Sequence, residues 1–64
     1  MSSILTKTVT ITRNGAVFWS GRYEQLADKV HDHYAFALVI RAKDAQATVN
    51  DTDSDGNAWS ASID

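Results

Sequence analysis

Asn14-Gly15 is the strongest short hairpin signal a sequence carries, and here strand-like residues lie on both sides of it. From Leu5 to Thr12 the chain alternates. Leu5, Lys7, Val9 and Ile11 fall on one face and Thr6, Thr8, Thr10 and Thr12 on the other, the two-residue period of a strand built from β-branched residues. A type I′ turn needs positive φ at both central positions, which Asn-Gly accepts at low cost. Arg13 is therefore expected to face Ala16, Ile11 to face Phe18, and Thr10 to face Trp19. In that register Val9, Ile11 and Phe18 are buried. Trp19 joins Val17 on the threonine face, either covered by later strands or left exposed.

Ser20-Gly21 closes the hairpin and offers a helix N-cap, after which Tyr23, Leu26, Ala27, Val30 and Tyr34 recur at three-to-four-residue spacing. This predicts one amphipathic helix over 21–34. Phe36 to Arg41 is a short apolar run without clean alternation, and is expected to be a strand buried on both faces. Lys43-Asp44-Ala45 reads as a turn, 46–50 as a strand, TDSDGN as a loop, and 58–63 as a last strand with Trp59, Ala61 and Ile63 on one side. The expected fold is α+β, a small antiparallel-rich sheet with one helix packed on it, in the order ββαβββ, as a single domain over 1–64. Val9, Ile11, Phe18, Leu26, Val30, Tyr34, Leu38 and Ile40 are its expected core.

A 64-residue domain buries only about 60% of its unfolded surface, and with no cysteine it has no disulfide or Cys-based zinc site to reinforce it. That cysteine usage, and the lack of an apolar stretch after basic residues near Met1, fit an intracellular protein without a secretory signal. The longest apolar run, Tyr34 to Ile40, is far short of the ~20 residues that span a bilayer, so no membrane association is expected.

Few residues here suggest catalysis. Asp51-Thr52-Asp53-Ser54-Asp55-Gly56 matches the first half of an EF-hand calcium loop, but the position of the closing bidentate Glu is Ser62. The segment reads first as an acidic turn and second as a weak calcium-binding module; no metal ligand or cofactor is assigned. His31-Asp32-His33 places two imidazoles about 200° apart on a helix, so they cannot share an ion, and neither a nucleophile nor a third ligand accompanies them. Trp19, Tyr23 and Trp59 invite a nucleic-acid reading. A pI near 5.4 and six dispersed basic residues argue against direct nucleic-acid binding, because phosphate repulsion is the larger effect. The expectation is a protein that is not an enzyme.

Charge is the informative feature for function. Residues 44–64 hold Asp44, Asp51, Asp53, Asp55 and Asp64 with no Lys or Arg, a formal −5, whereas residues 1–43 hold all six basic side chains against three acids, a formal +3. Such asymmetry steers association with a partner. On the predicted helix Glu24, Asp28 and Asp32 fall at i, i+4 and i+8, and Asp51, Asp53 and Asp55 alternate along the loop. Both spacings approximate a phosphate backbone. With Trp19 as an aromatic contact, these seven residues are the candidate partner-binding set.

In size, charge and the segments YEQLADKVHDHY and NDTDSDGN, the chain resembles the small anti-CRISPR proteins of phages and mobile elements, among them those acting on type I (including type I-C) systems. The resemblance implies a stoichiometric inhibitor in the cytoplasm of a bacterial host. It would bind a Cas protein of a type I effector through a basic groove, blocking DNA entry or protospacer-adjacent motif reading, without catalysis or cofactor, as a monomer or weak dimer. The alternative from another class is a minor prophage structural or assembly protein that self-associates through an exposed β-edge and Trp19.

Overall fold

The computed structural model describes residues 4–64. Its strands are β1 (Thr8–Arg13), β2 (Ala16–Arg22), β3 (Val49–Thr52) and β4 (Ala58–Ile63), and its helices are α1 (Leu26–Lys29) and α2 (His33–Ala45). Short 3-10 turns occupy Ile4–Thr6 and Tyr23–Gln25. The four strands form one antiparallel sheet in the order β2-β1-β4-β3, so strands distant in sequence, β1 and β4, pair at its centre. A small α+β fold is thus present, with two helices and four strands in the order ββααββ, not the expected ββαβββ. None of the described helices is long and apolar enough to cross a membrane.

The Asn14-Gly15 turn forms as its residues dictate, with φ of 53° and 82°. Arg13 faces Ala16 and Thr12 faces Val17, but a β-bulge then inserts Phe18 as an extra residue, so Ile11 faces Trp19 and Thr10 faces Ser20. The bulge turns Trp19 onto the core side, where it is half-buried against the core cluster, and leaves Phe18 37% exposed. Trp19 is thus on the face opposite to the one expected, and Phe18, expected to be buried, meets the core-side Trp59 ring edge to face while staying partly exposed. Gly21 makes room for the indole: a Cβ there would sit 2.8 Å from Trp19 Cζ2.

The second correction concerns residues 21–45. Continuous helix over 21–34 does not form; a 3-10 turn and the four residues of α1 give way at Val30, which is extended (φ −107°, ψ 110°). Asp32 then caps α2, its Oδ1 accepting from the Ala35 N–H at 3.0 Å. Phe36 to Arg41 lies inside α2 because the apolar residues that matter are Ala35, Leu38, Val39 and Ala42, spaced i, i+3, i+4 and i+7 on one helical stripe. The expected turn at 43–45 is the last turn of this helix. Gln46, in the left-handed region (φ 53°), ends it with its N–H directed to the Ala42 and Lys43 carbonyls.

Both helices cover the sheet face that carries Val9, Ile11, Trp59 and Ala61, and the core is completed by Leu26, Val30, Ala35, Leu38, Val39 and Ala42. Of the expected core, Phe18, Tyr34 and Ile40 stand at its rim. Alanines at 35, 42 and 61 are buried in place of larger side chains, which lets α2 approach the sheet closely. By strand alternation the opposite face presents Thr8, Thr10, Thr12, Ser60 and Ser62, and the Thr12 and Ser60 hydroxyls hydrogen-bond across β1 and β4.

Candidate functional site at the turn end of the sheet

Two turns sit side by side at one end of the sheet and are fastened together. Asn14 donates its backbone N–H to the Ala58 carbonyl (2.7 Å), and its Oδ1 accepts from the Ala58 N–H (2.9 Å). Its Nδ2 donates to Asn57 Oδ1 (3.0 Å). In the β3–β4 loop, the Gly56 N–H donates to the Asp53 carbonyl (3.1 Å), and Gly56 takes the positive φ (86°) that this tight loop needs. Asp53 organises the rest. Its Oδ1 accepts from the N–H groups of Asp55 and Asn57, both at 2.9 Å, and its Oδ2 from Asn57 Nδ2 (3.1 Å) and Trp59 Nε1 (2.8 Å). The Trp59 hydrogen bond, with those from Asn57 and Asp55, holds the Asp53 carboxyl down at about 2.

Asp51 is engaged as well. Its Oδ1 accepts from the Thr52 N–H at 2.8 Å and its Oδ2 from Arg41 Nη1 at 2.9 Å, and these partners keep its carboxyl below the usual range. Tyr34, on the first turn of α2, leans its ring on Trp59 at 5.4 Å between centroids. Its hydroxyl is buried without a hydrogen bond of good geometry; burial first, and the neighbouring Asp51 second, push the phenol's pKa up. Through Tyr34 the first turn of α2 is set against Trp59 at the start of β4.

The expected site is therefore partly assembled and partly dispersed. Asp51, Asp53 and Asp55 lie along the end of β3 and the β3–β4 loop, while Asp32 caps α2. Glu24 lies in the 3-10 turn, 4.0 Å from Arg22, and Asp28 is exposed on α1; since α1 ends at Lys29, Glu24, Asp28 and Asp32 do not share one helical face. Trp19 lies half-buried on the core side of β2. Of the three loop carboxylates, two work within the fold, and only Asp55 is exposed without a side-chain partner among the described residues.

Sequence reasoning missed Arg13, whose guanidinium carbon lies 5.4 Å from the Phe18 ring centre and 5.6 Å from that of Trp59. No spacing rule pairs residues 13 and 59; only the β1–β4 register, which sets them opposite each other, does so. It also missed Asn57, whose link to Asn14 spans 43 positions. His31 and His33 are exposed on either side of the capping Asp32. Among the described residues no group of three His, Cys, Asp or Glu side chains is placed to hold a metal ion. What the arrangement offers chemically is a hydrogen-bonded acidic loop at the same end of the sheet as a guanidinium held against two aromatic rings. Compared with known proteins, the chain matches no family model, no curated protein and no solved structure.

Proposed function

We propose that this chain is a stoichiometric protein inhibitor that docks its turn end on a basic, nucleic-acid-receiving surface of a type I CRISPR–Cas effector. One observation carries the reading: Asp51, Asp53 and Asp55 follow one another through the end of β3 and the β3–β4 loop, and hydrogen bonds hold that loop rigid before any partner arrives. A preformed display avoids the ordering cost that a flexible acidic tail would meet on binding. Exposed carboxylates at the rim act mainly on association rate, and one pressed into an Arg/Lys groove is worth about 2–5 kcal/mol.

The test is a phage-plaquing or transformation assay against type I interference, with wild type and a folded Asp55→Lys variant. Asp53 is spared because reversing it would dismantle the loop. Protection by wild type and its loss in the variant are expected, and wild-type binding should weaken steeply with salt. Absence of protection against every type I system, or equal protection by the variant, refutes the reading.

The assembly-protein reading has its own observation in Val17 (65% exposed) and Phe18 (37%), neighbours on the edge strand β2. Sedimentation across a concentration series decides it, since apolar association persists or strengthens in high salt.

A further inference from the structure

Arg13 makes no ion pair among the described residues, although it stands at an end of the molecule where carboxylates collect. It is held instead by the rings of Phe18 and Trp59, which meet edge to face at 4.9 Å. Cation–π contact with the rings leaves the N–H donors of the guanidinium unused among the described residues, and that planar fork matches a carboxylate or phosphate. The platform beneath is fixed. Asn14, next in sequence, is tied to Ala58 and Asn57, and Trp59 Nε1 to Asp53, so little side-chain freedom is left to lose on binding.

We propose that Arg13 is the anchor for a single carboxylate on a protein partner. A phosphate backbone is disfavoured because Asp51 on β3, one strand beyond Trp59, and Asp53 and Asp55 in the β3–β4 loop lie at the same end of the sheet, and a polyanion would meet them as well. One carboxylate set in a basic or neutral protein surface meets Arg13 while its surroundings meet the aspartates. Phe18, exposed beside the guanidinium, supplies apolar contact, and an arginine framed by aromatic rings has the composition of an interface hot spot. The inference rests on the reading of the turn end as a protein-docking surface and adds a requirement to it: the complementary surface is not uniformly basic.

Two capped pentapeptides test it, KGEFK and KGQFK, titrated into isotopically labelled protein with the Arg13 Nε–H and the Phe18 amide followed by NMR. KGEFK should give saturable shifts at both groups, with affinity roughly tenfold above KGQFK, the scale of one charge-assisted hydrogen bond. Arg13→Lys keeps the charge and loses the planar fork, and should abolish the preference without moving the melting temperature. Absence of a saturable shift at Arg13, equal binding of the two peptides by wild type, or a preference retained in Arg13→Lys each overturns the proposal. The wild-type comparison stands even if the variant folds poorly. Failure of the interference assay leaves this result intact, so the two readings fail separately.

Discussion

Trp59 Nε1 donates to Asp53 Oδ2 across 2.8 Å, joining a core ring that is only 4% exposed to the carboxylate that shapes the exposed loop. The site and the core are thus one mechanical unit. Asp53→Ala is expected to free the Trp59 Nε1–H and the Asp55 and Asn57 amides together and to lower the melting temperature. An indole N–H resonance that keeps its position and its slow exchange in this variant would show that the loop does not depend on Asp53.

Acid should act on the same residue. The Asp53 carboxyl is held at about 2 in the fold, against about 3.9 in an unfolded chain, so its contribution is full above roughly pH 4 and is lost as pH falls toward 2. Stability measured from pH 5 to 2 should decline in that window, and the decline should be shallower in Asp53→Asn. Identical pH profiles would remove Asp53 as the cause.

Leu38 and Ile40 separate the helix from the expected strand. On a strand both face the same side; on α2 they point about 200° apart, with Leu38 1% exposed and Ile40 at the rim. Leu38→Ala is expected to cost about 2–5 kcal/mol, enough to unfold a domain of this size, and Ile40→Ala about 1 kcal/mol or less. Denaturant melts of the two variants check this, and equal losses would contradict it.

Gly21→Ala forces a methyl to within 2.8 Å of the Trp19 ring and 3.0 Å of Gln25 Oε1. Overpacking of this kind typically costs about 1–3 kcal/mol. The readout specific to the mechanism is a red-shifted Trp fluorescence component, seen in Trp59→Phe so that Trp19 reports alone and compared with Trp59→Phe carrying Gly21. No change in either quantity would mean that the indole has room to move.

Asp32→Ala removes the N-cap of α2 and should cost about 1 kcal/mol, whereas Asp28→Ala, exposed on α1, should be near neutral. Equal effects in chemical denaturation would return Asp32 to the role of a surface charge.

The parts of the fold legible in the sequence are those fixed by local chemistry. Asn14-Gly15 with its flanking alternation gave the first hairpin, and Trp59, Ala61 and Ile63 at a two-residue period gave β4 with its bounds intact. Residues 34–41 were not legible because a helix carrying apolar residues on its outer rim, Phe36 and Ile40, reads locally like a buried strand; the periodicity emerges only when Ala35 and Ala42 are counted as core. Asp32 was misread with them, since a capping residue and a helix-face residue look alike until the helix start is known. The Phe18 bulge carries no residue signature and is selected by what Trp19 gains against the core. At the candidate site the charges were visible, but not which of them the fold consumes, because the partners of Asp51 and Asp53 depend on where Arg41 and Trp59 come to rest.

The pairing of β1 with β4 has a consequence during synthesis. Val9 lies against Ile63 and Thr12 against Ser60, so the two central strands belong to segments made far apart in time. A nascent chain can close the β1–β2 hairpin as soon as Arg22 emerges, yet one flank of β1 stays open until β4 clears the ribosome. Through that interval Val9 and Ile11 lack their β4 partners, and the unpaired edge of β1 is open to aggregation and to chaperone binding.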